Sequence, residues 1–124
     1  MIPAKTFEDL DCWKIAREIR LHVKEIIKRL PKNDFDMQDN MKRAARSCTR
    51  NIAEGYGRFH YQENIQFSRI SRGSMYELID DFITCKDEYF ITGEEYAKGR
   101  ELLQRGIMVV NGYINYLEKL KKTQ

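Results

Sequence analysis

Apolar residues recur along most of this chain at steps of three, four and seven, the repeat that gathers them on one face of an α-helix. Four such stretches follow one another. In the first, Leu10, Trp13, Ala16, Val23, Ile27 and Leu30 share a face, which predicts a helix over roughly residues 8–30. Thr6 stands where a cap belongs, and Glu8, Asp9 and Asp11 sit near the positive end of the helix dipole. Pro31 closes the segment, because proline disfavours helical backbone in the residue before it.

The second stripe is Met37, Met41, Ala44, Ala45, Cys48 and Ile52, predicting a helix over roughly 36–55. It is narrow and small-sided, and Ala44, Ala45 and Ala53 let a neighbouring helix come close. Gly55 and Gly57 are expected to stop it, as glycine does in a left-handed cap. The third stretch, roughly 63–90, turns Ile65, Phe67, Ile70, Ser74, Leu78, Phe82, Cys85 and Tyr89 inward. Gly73 falls in its middle, where glycine costs about 1 kcal/mol relative to alanine. Because the stripe continues in register past it, Gly73 is expected to mark a close helix contact. Thr92 with Glu95 three residues later forms a capping box and opens the fourth helix, roughly 94–121. Its stripe is Tyr96, Leu103, Ile107, Val110, Ile114, Leu117 and Leu120, and Lys119, Lys121 and Lys122 suit its negative end.

No alternating run is bounded by hairpin turns, so strands are not expected. Four long helices with short connections predict an all-α, antiparallel up-down-up-down four-helix bundle, one domain over residues 1–124. At 1.5 Å per residue each helix spans about 30 Å or more.

Composition narrows the function classes. Apolar residues make up 42% and charged residues 33%, a soluble balance, and no stretch approaches the about 20 apolar residues that span a bilayer. The start, Met1 to Lys5, lacks an apolar signal core, so a bacterial-type cytoplasmic setting and no membrane partner are expected. Cys12, Cys48 and Cys85 are far apart with no Cys-x-x-Cys pair, and read as buried free thiols. His22 and His60 have no carboxylate or thiol at ligand spacing, and the Glu-x-x-His pattern of di-iron bundles is absent, so neither a metal nor another cofactor is expected. Gly55-Tyr56-Gly57 lacks the lysine and the preceding strand of a phosphate loop. No nucleophile-and-base set is completed around Asn51 and Glu54, so the chain reads as non-enzymatic.

Net charge is +3 but unevenly spread: residues 42–72 carry seven cations against two acids, and residues 73–101 carry eight acids against three cations. Arg43, Arg46 and Arg50 are spaced to form one ridge, with Lys42 beside it and Arg58 beyond. Lys42, Arg43, Arg46, Arg50 and Arg58 are therefore the candidate contacts for a nucleic acid, with Tyr56, Phe59 and Tyr61 as candidate stacking surfaces. The other reading of the same charges is a protein-interaction module, in which arginines match Glu77, Asp80 and Asp81 across a subunit interface. Asn51 and Glu54, three apart on one face, are expected to pin the loop of Gly55 and Gly57 against the bundle, with Glu54 accepting from Arg46, Arg50 or a backbone amide.

Several motifs stand in order: Phe7-Glu8-Asp9-Leu10 with Trp13-Lys14; Gln38; Arg43-Ala44-Ala45-Arg46-Ser47; Asn51-Ile52-Ala53-Glu54-Gly55; and Gly73-Ser74-Met75-Tyr76-Glu77-Leu78. Together they resemble the 23S rRNA-intervening sequence proteins, a bacterial four-helix bundle family, over nearly the whole chain. That family is in turn similar to the accessory variability determinant of diversity-generating retroelements, a basic pentameric bundle that works beside a reverse transcriptase. The resemblance implies a homopentameric ring, no established enzyme activity, and RNA, DNA or a nucleic-acid enzyme as partner. This chain departs from the retroelement protein in its lower basicity and its acidic third helix.

Overall fold

A computed structural model of the protein describes residues 4–123. The start read as lacking a leader core therefore lies mostly outside the described residues. A single 3-10 turn, Phe7–Asp9, precedes four helices: α1 (Asp11–Ile27), α2 (Phe35–Gly57), α3 (Tyr61–Asp87) and α4 (Gly93–Lys122). There is no strand among the described residues. Each helix packs on the next in sequence, and α4 closes the ring on α1.

The order of cross-helix partners gives the direction of each pair. Between α2 and α3, Arg43 meets Glu77, Ser47 meets Ser74 and Gly55 lies against Asn64. Between α3 and α4, Asn64 meets Tyr113, Arg72 meets Asn111 and Phe82 lies against Gly99. Between α1 and α4, Glu18 meets Arg105 and Arg29 meets Glu95. Numbers rise on one helix as they fall on the other, so these neighbours are antiparallel, as the short connections require.

The core takes in most of the predicted stripes of α2 and α4 and part of those of α1 and α3. On α1 the buried face is Cys12, Ile15, Ala16, Ile19, Val23 and Ile26, with Leu10, Trp13 and Ile27 only partly buried. Met41, Ile52, Ile65, Met75, Leu78, Phe82, Leu103 and Val110 close the centre. Cys12, Cys48 and Cys85 are buried among them. Burial pushes the Cys12 and Cys48 thiols up to about 12, which keeps them protonated and unreactive.

Five expectations need correction. The first helix does not begin at residue 8. Leu10 is extended (ψ 131), and the Asp9 carboxylate turns back to accept from the amides of Lys5 at 3.0 Å and Thr6 at 3.3 Å. The Phe7 ring then meets the Trp13 ring edge-on at 5.3 Å, folding the turn onto the start of α1. At the other end, residues 28–30 leave the α-helix through a tightened turn that buries Leu30 before Pro31.

Second, Gly55 and Gly57 do not cap α2, which runs through both with no glycine at positive φ. Gly55 is instead a contact point: a Cβ there would lie 2.7 Å from Asn64 Oδ1 and 3.0 Å from Phe67 Cβ. The left-handed residue of this connection is Phe59 (φ 60). Third, Gly73 faces outward with nothing within 4 Å of where its Cβ would be. The close contacts fall at Gly55, Gly99 and Gly106, and at Ser68, Ser71 and Ser74.

Fourth, Ile70 is exposed on the outer face of α3. Fifth, Tyr89 lies beyond the end of α3, 93% exposed, in the left-handed conformation (φ 62). There Phe90 N donates to Cys85 O at 2.9 Å, so Tyr89 occupies the position that glycine usually takes in a helix-ending turn. Thr92 and Glu95 cap α4 as the sequence predicts, with Glu95 N donating to Thr92 Oγ1 at 3.0 Å and Thr92 N to the Glu95 carboxylate at 2.9 Å.

Candidate nucleic-acid interface

The cationic ridge predicted on α2 divides in two. An α-helix advances 100° per residue, so Arg43 and Arg50, seven apart, point within about 20° of each other, with Arg46 about 40–60° and Lys42 about 80–100° further round. Arg43 faces α3 and pairs with Glu77 at 2.9 Å. Arg50 borders a shallow cleft on the same side, with Asn51, Ala53, Glu54 and Phe67. Arg58 spreads over the Phe67 ring, 5.3 Å from its centroid, and pairs with Glu54 at 3.4 Å. Three of the five candidate residues thus lie on the α2–α3 side, and two of those three are engaged by acids of this same chain.

Lys42 and Arg46 border the groove between α2 and α1. There they meet Arg20 and Lys24 of α1 and Lys28 at its C-terminal cap, four residues apart in sequence and so in one row. These five cations surround a groove of about 520 Å³, with Leu21, Val23, Ile27 and Ala45 as its aliphatic part and no acid in its lining. Arg20 is fixed in the wall by a hydrogen bond from its guanidinium to Thr49 Oγ1 at 2.9 Å. Lys28 also reaches Glu25 at 3.0 Å, an exposed pair that holds it only weakly. No carboxylate among the described residues lies within salt-bridge distance of Lys24, Lys42 or Arg46.

Arg20, Lys24 and Lys28 were not singled out from the sequence. Their four-residue spacing was a signal, but residues 1–41 carry eight cations and eight acids, so a count along the chain averages to zero. In the fold none of those acids lines the groove, and only Glu25 pairs with one of its cations.

Asn51 and Glu54 do not act as predicted. The Asn51 amide donates backward, to Ser47 O at 2.9 Å and Ser47 Oγ at 2.8 Å, and Ser74 Oγ meets Ser47 Oγ at 2.8 Å. Asn51 therefore belongs to a polar seam between α2 and α3 that also includes the bond from Ser71 Oγ to Cys48 O at 2.8 Å. Glu54 takes Arg58 as its partner, not Arg46 or Arg50. The candidate stacking residues also separate. Tyr56 is half-buried with its hydroxyl on Ala4 O at 3.2 Å, and Tyr61 packs partly buried on the core. Phe59 is 86% exposed.

Acids gather on α3. Burial, then Asp80 and Glu77, push the Asp81 carboxyl up to about 6, and Arg43 only partly offsets them. Glu77 meets Arg43 within the chain. On the α1–α4 side, His22 Nε2 is buried without a hydrogen-bond partner, and desolvation followed by Lys98 lowers its pKa, with Glu95 opposing. No cluster of three or more metal-ligating side chains occurs among the described residues.

The class defined by these features is a helical bundle with an interior sealed by apolar stripes and a polar seam, and with its chemistry on charged outer faces. The chain matches the family model of the 23S rRNA-intervening sequence protein over residues 8–112. It belongs to that family. No curated protein matches it. No helix among the described residues is long and apolar enough to cross a membrane.

Proposed function

We propose that this protein is a non-enzymatic helical scaffold that binds RNA or DNA through the cationic surface of α2 and its neighbour α1. The observation that carries this is the groove with five cations and no acid in its lining. Clustered cations attract phosphates and release their counterions, which makes binding steeply salt-dependent. Of the residues expected from sequence, Lys42 and Arg46 carry the contact. Arg50 adds to it at the edge, while the charges of Arg43 and Arg58 are partly offset by the exposed acids Glu77 and Glu54, as that of Lys28 is by Glu25.

The protein works as a homo-oligomer in the cytoplasm, a pentamer by the resemblance, in which repetition turns a modest single-site affinity into avidity. The outer faces of α3 and α4 support self-association. They expose Ile70, Tyr76, Met108 and Tyr116, large apolar side chains that a lone subunit leaves in water. A nucleic-acid enzyme is the partner such a scaffold serves. Fluorescence anisotropy with labelled RNA and DNA, across salt, tests the binding; absence of binding to both at low salt sinks it. Light scattering on the eluting protein tests the assembly: five copies of 14.8 kDa weigh about 74 kDa.

The second reading, a protein-interaction module without nucleic acid, draws on the acids Glu77, Asp80 and Asp81 beside exposed Tyr76. Charge reversal at Lys42 and Arg46 separates the two. Loss of nucleic-acid binding with assembly intact supports the first reading, and loss of assembly supports the second.

A further inference from the structure

Resting on the nucleic-acid reading, we infer that the α1–α2 groove grips the sugar–phosphate backbone of a double helix, with Arg20 and Lys24 of α1 and Lys28 at its C-terminal cap contributing alongside Lys42 and Arg46 of α2. The lining is the first reason. It holds five cations and four aliphatic residues but no aromatic ring. Proteins that hold single strands without sequence preference stack bases on aromatic side chains, and this groove offers no such platform. Leu21, 45% exposed, presents instead an aliphatic surface suited to the apolar edge of a sugar.

Rigidity is the second reason. The cations stand on two packed helices at fixed spacing: successive members of the α1 row are four residues, or about 6 Å, apart along the axis. Arg20 is further fixed by Thr49. Fixed points of attachment suit a rigid lattice of phosphates, with the lysine stems adjusting to it. A flexible strand loses conformational freedom to fit it, with no stacking to offset that loss.

Charge density is the third reason. The row from Arg20 to Lys28 spans about 12 Å of helix axis. A duplex carries about seven phosphate charges over that length, and one strand of it about half as many. Contact of this kind positions without reading sequence, because it touches no base edge.

The experiment uses the full chain and three labelled probes: a mixed-sequence DNA duplex, a fully paired RNA hairpin, and an oligothymidine strand. Anisotropy is read across salt for the wild type, Lys24→Glu, Lys42→Glu and, as a control far from the groove, Lys119→Glu. All variants are first checked for helicity and oligomer size. The expected result is binding of at least one duplex about tenfold or more tighter than the strand, with a log–log salt slope of about −4.5 for five contacts on B-form DNA. Lys24→Glu and Lys42→Glu each weaken it about tenfold or more, and Lys119→Glu leaves it unchanged. The inference fails, while the nucleic-acid reading stands, if the strand binds as tightly as the tighter-bound of the two duplexes or if Lys24→Glu has no effect on a duplex that still binds. Binding of none of the probes at low salt overturns both.

Discussion

Gly99 of α4 lies flat against the Phe82 ring of α3, so close that a Cβ on residue 99 would overlap the ring carbons. The usual sign of a helical glycine substitution reverses here. Gly99→Ala is expected to destabilise the fold by about 1–3 kcal/mol through overpacking, because Phe82 is fully buried and cannot swing away. Gly73→Ala and Gly112→Ala meet nothing within 4 Å and should each stabilise the subunit by about 0.5–1 kcal/mol. Urea unfolding of the three variants checks the pattern. If Gly73→Ala stabilises the subunit yet blocks assembly, residue 73 lies in the interface between copies.

Tyr89 and Phe59 adopt left-handed backbone, a conformation that costs a side-chain-bearing residue about 1–2 kcal/mol. Both are almost fully exposed, so little packing is lost on truncation. Tyr89→Gly is therefore expected to raise the melting temperature by several degrees, about 1 kcal/mol. An unchanged or lower melting temperature shows that the Tyr89 ring finds a partner in the assembly.

His22 and Asp81 make stability depend on pH in opposite senses. The folded state lowers the His22 pKa below its usual 6.5, chiefly by burial, so the neutral ring is the form the fold accepts. That contribution is whole above about pH 6.5 and is lost as pH falls through the folded value. Asp81 is raised from 3.8 to about 6, so its carboxylate opposes folding at neutral pH and ceases to do so as pH falls toward 4. Asp81→Asn should accordingly raise the melting temperature at pH 7.5 and have little effect at pH 4. His22→Phe, beside Phe82 at 6.2 Å between ring centroids, should flatten the loss of stability below pH 6.5. Thermal melts from pH 4 to 8 would reveal either failure.

Asn64 is buried where α2, α3 and α4 meet. It donates to the Tyr113 hydroxyl at 2.9 Å and accepts from Ser68 Oγ at 3.4 Å. Asn64→Ala leaves both partners without a bond and is expected to cost about 1–3 kcal/mol. Asn64→Ala in a Tyr113→Phe, Ser68→Ala background should cost clearly less, and equal costs in the two backgrounds would disprove the coupling.

Helix number, most of the α2 and α4 stripes and the box at Thr92 were legible because burial periodicity and capping are local in sequence. What was not legible depended on distance in space. Gly73 and Gly99 look alike in a helical pattern, and only the neighbouring helix decides that one faces water and the other a phenyl ring. Ile70 fits the apolar repeat of α3 yet is exposed, because Ser68 and Ser71 take the inner positions that bring α2 close. The candidate interface was half legible. Lys42 and Arg46 belong to a run with excess positive charge, whereas Arg20, Lys24 and Lys28 are masked in sequence by acids that do not line the groove.

The glycines at 55, 99 and 106 act together as keys in matched slots. Each receives side chains from a neighbouring helix: Asn64 and Phe67 at Gly55, Phe82 at Gly99, and Ile19 with Met75 at Gly106. A slip of one helix by a turn would carry Leu103 in place of Gly99 to the level of Phe82, and the ring would no longer fit. The rods therefore cannot ratchet past one another. A force applied at the cationic face passes through the bundle as the motion of a single rigid block.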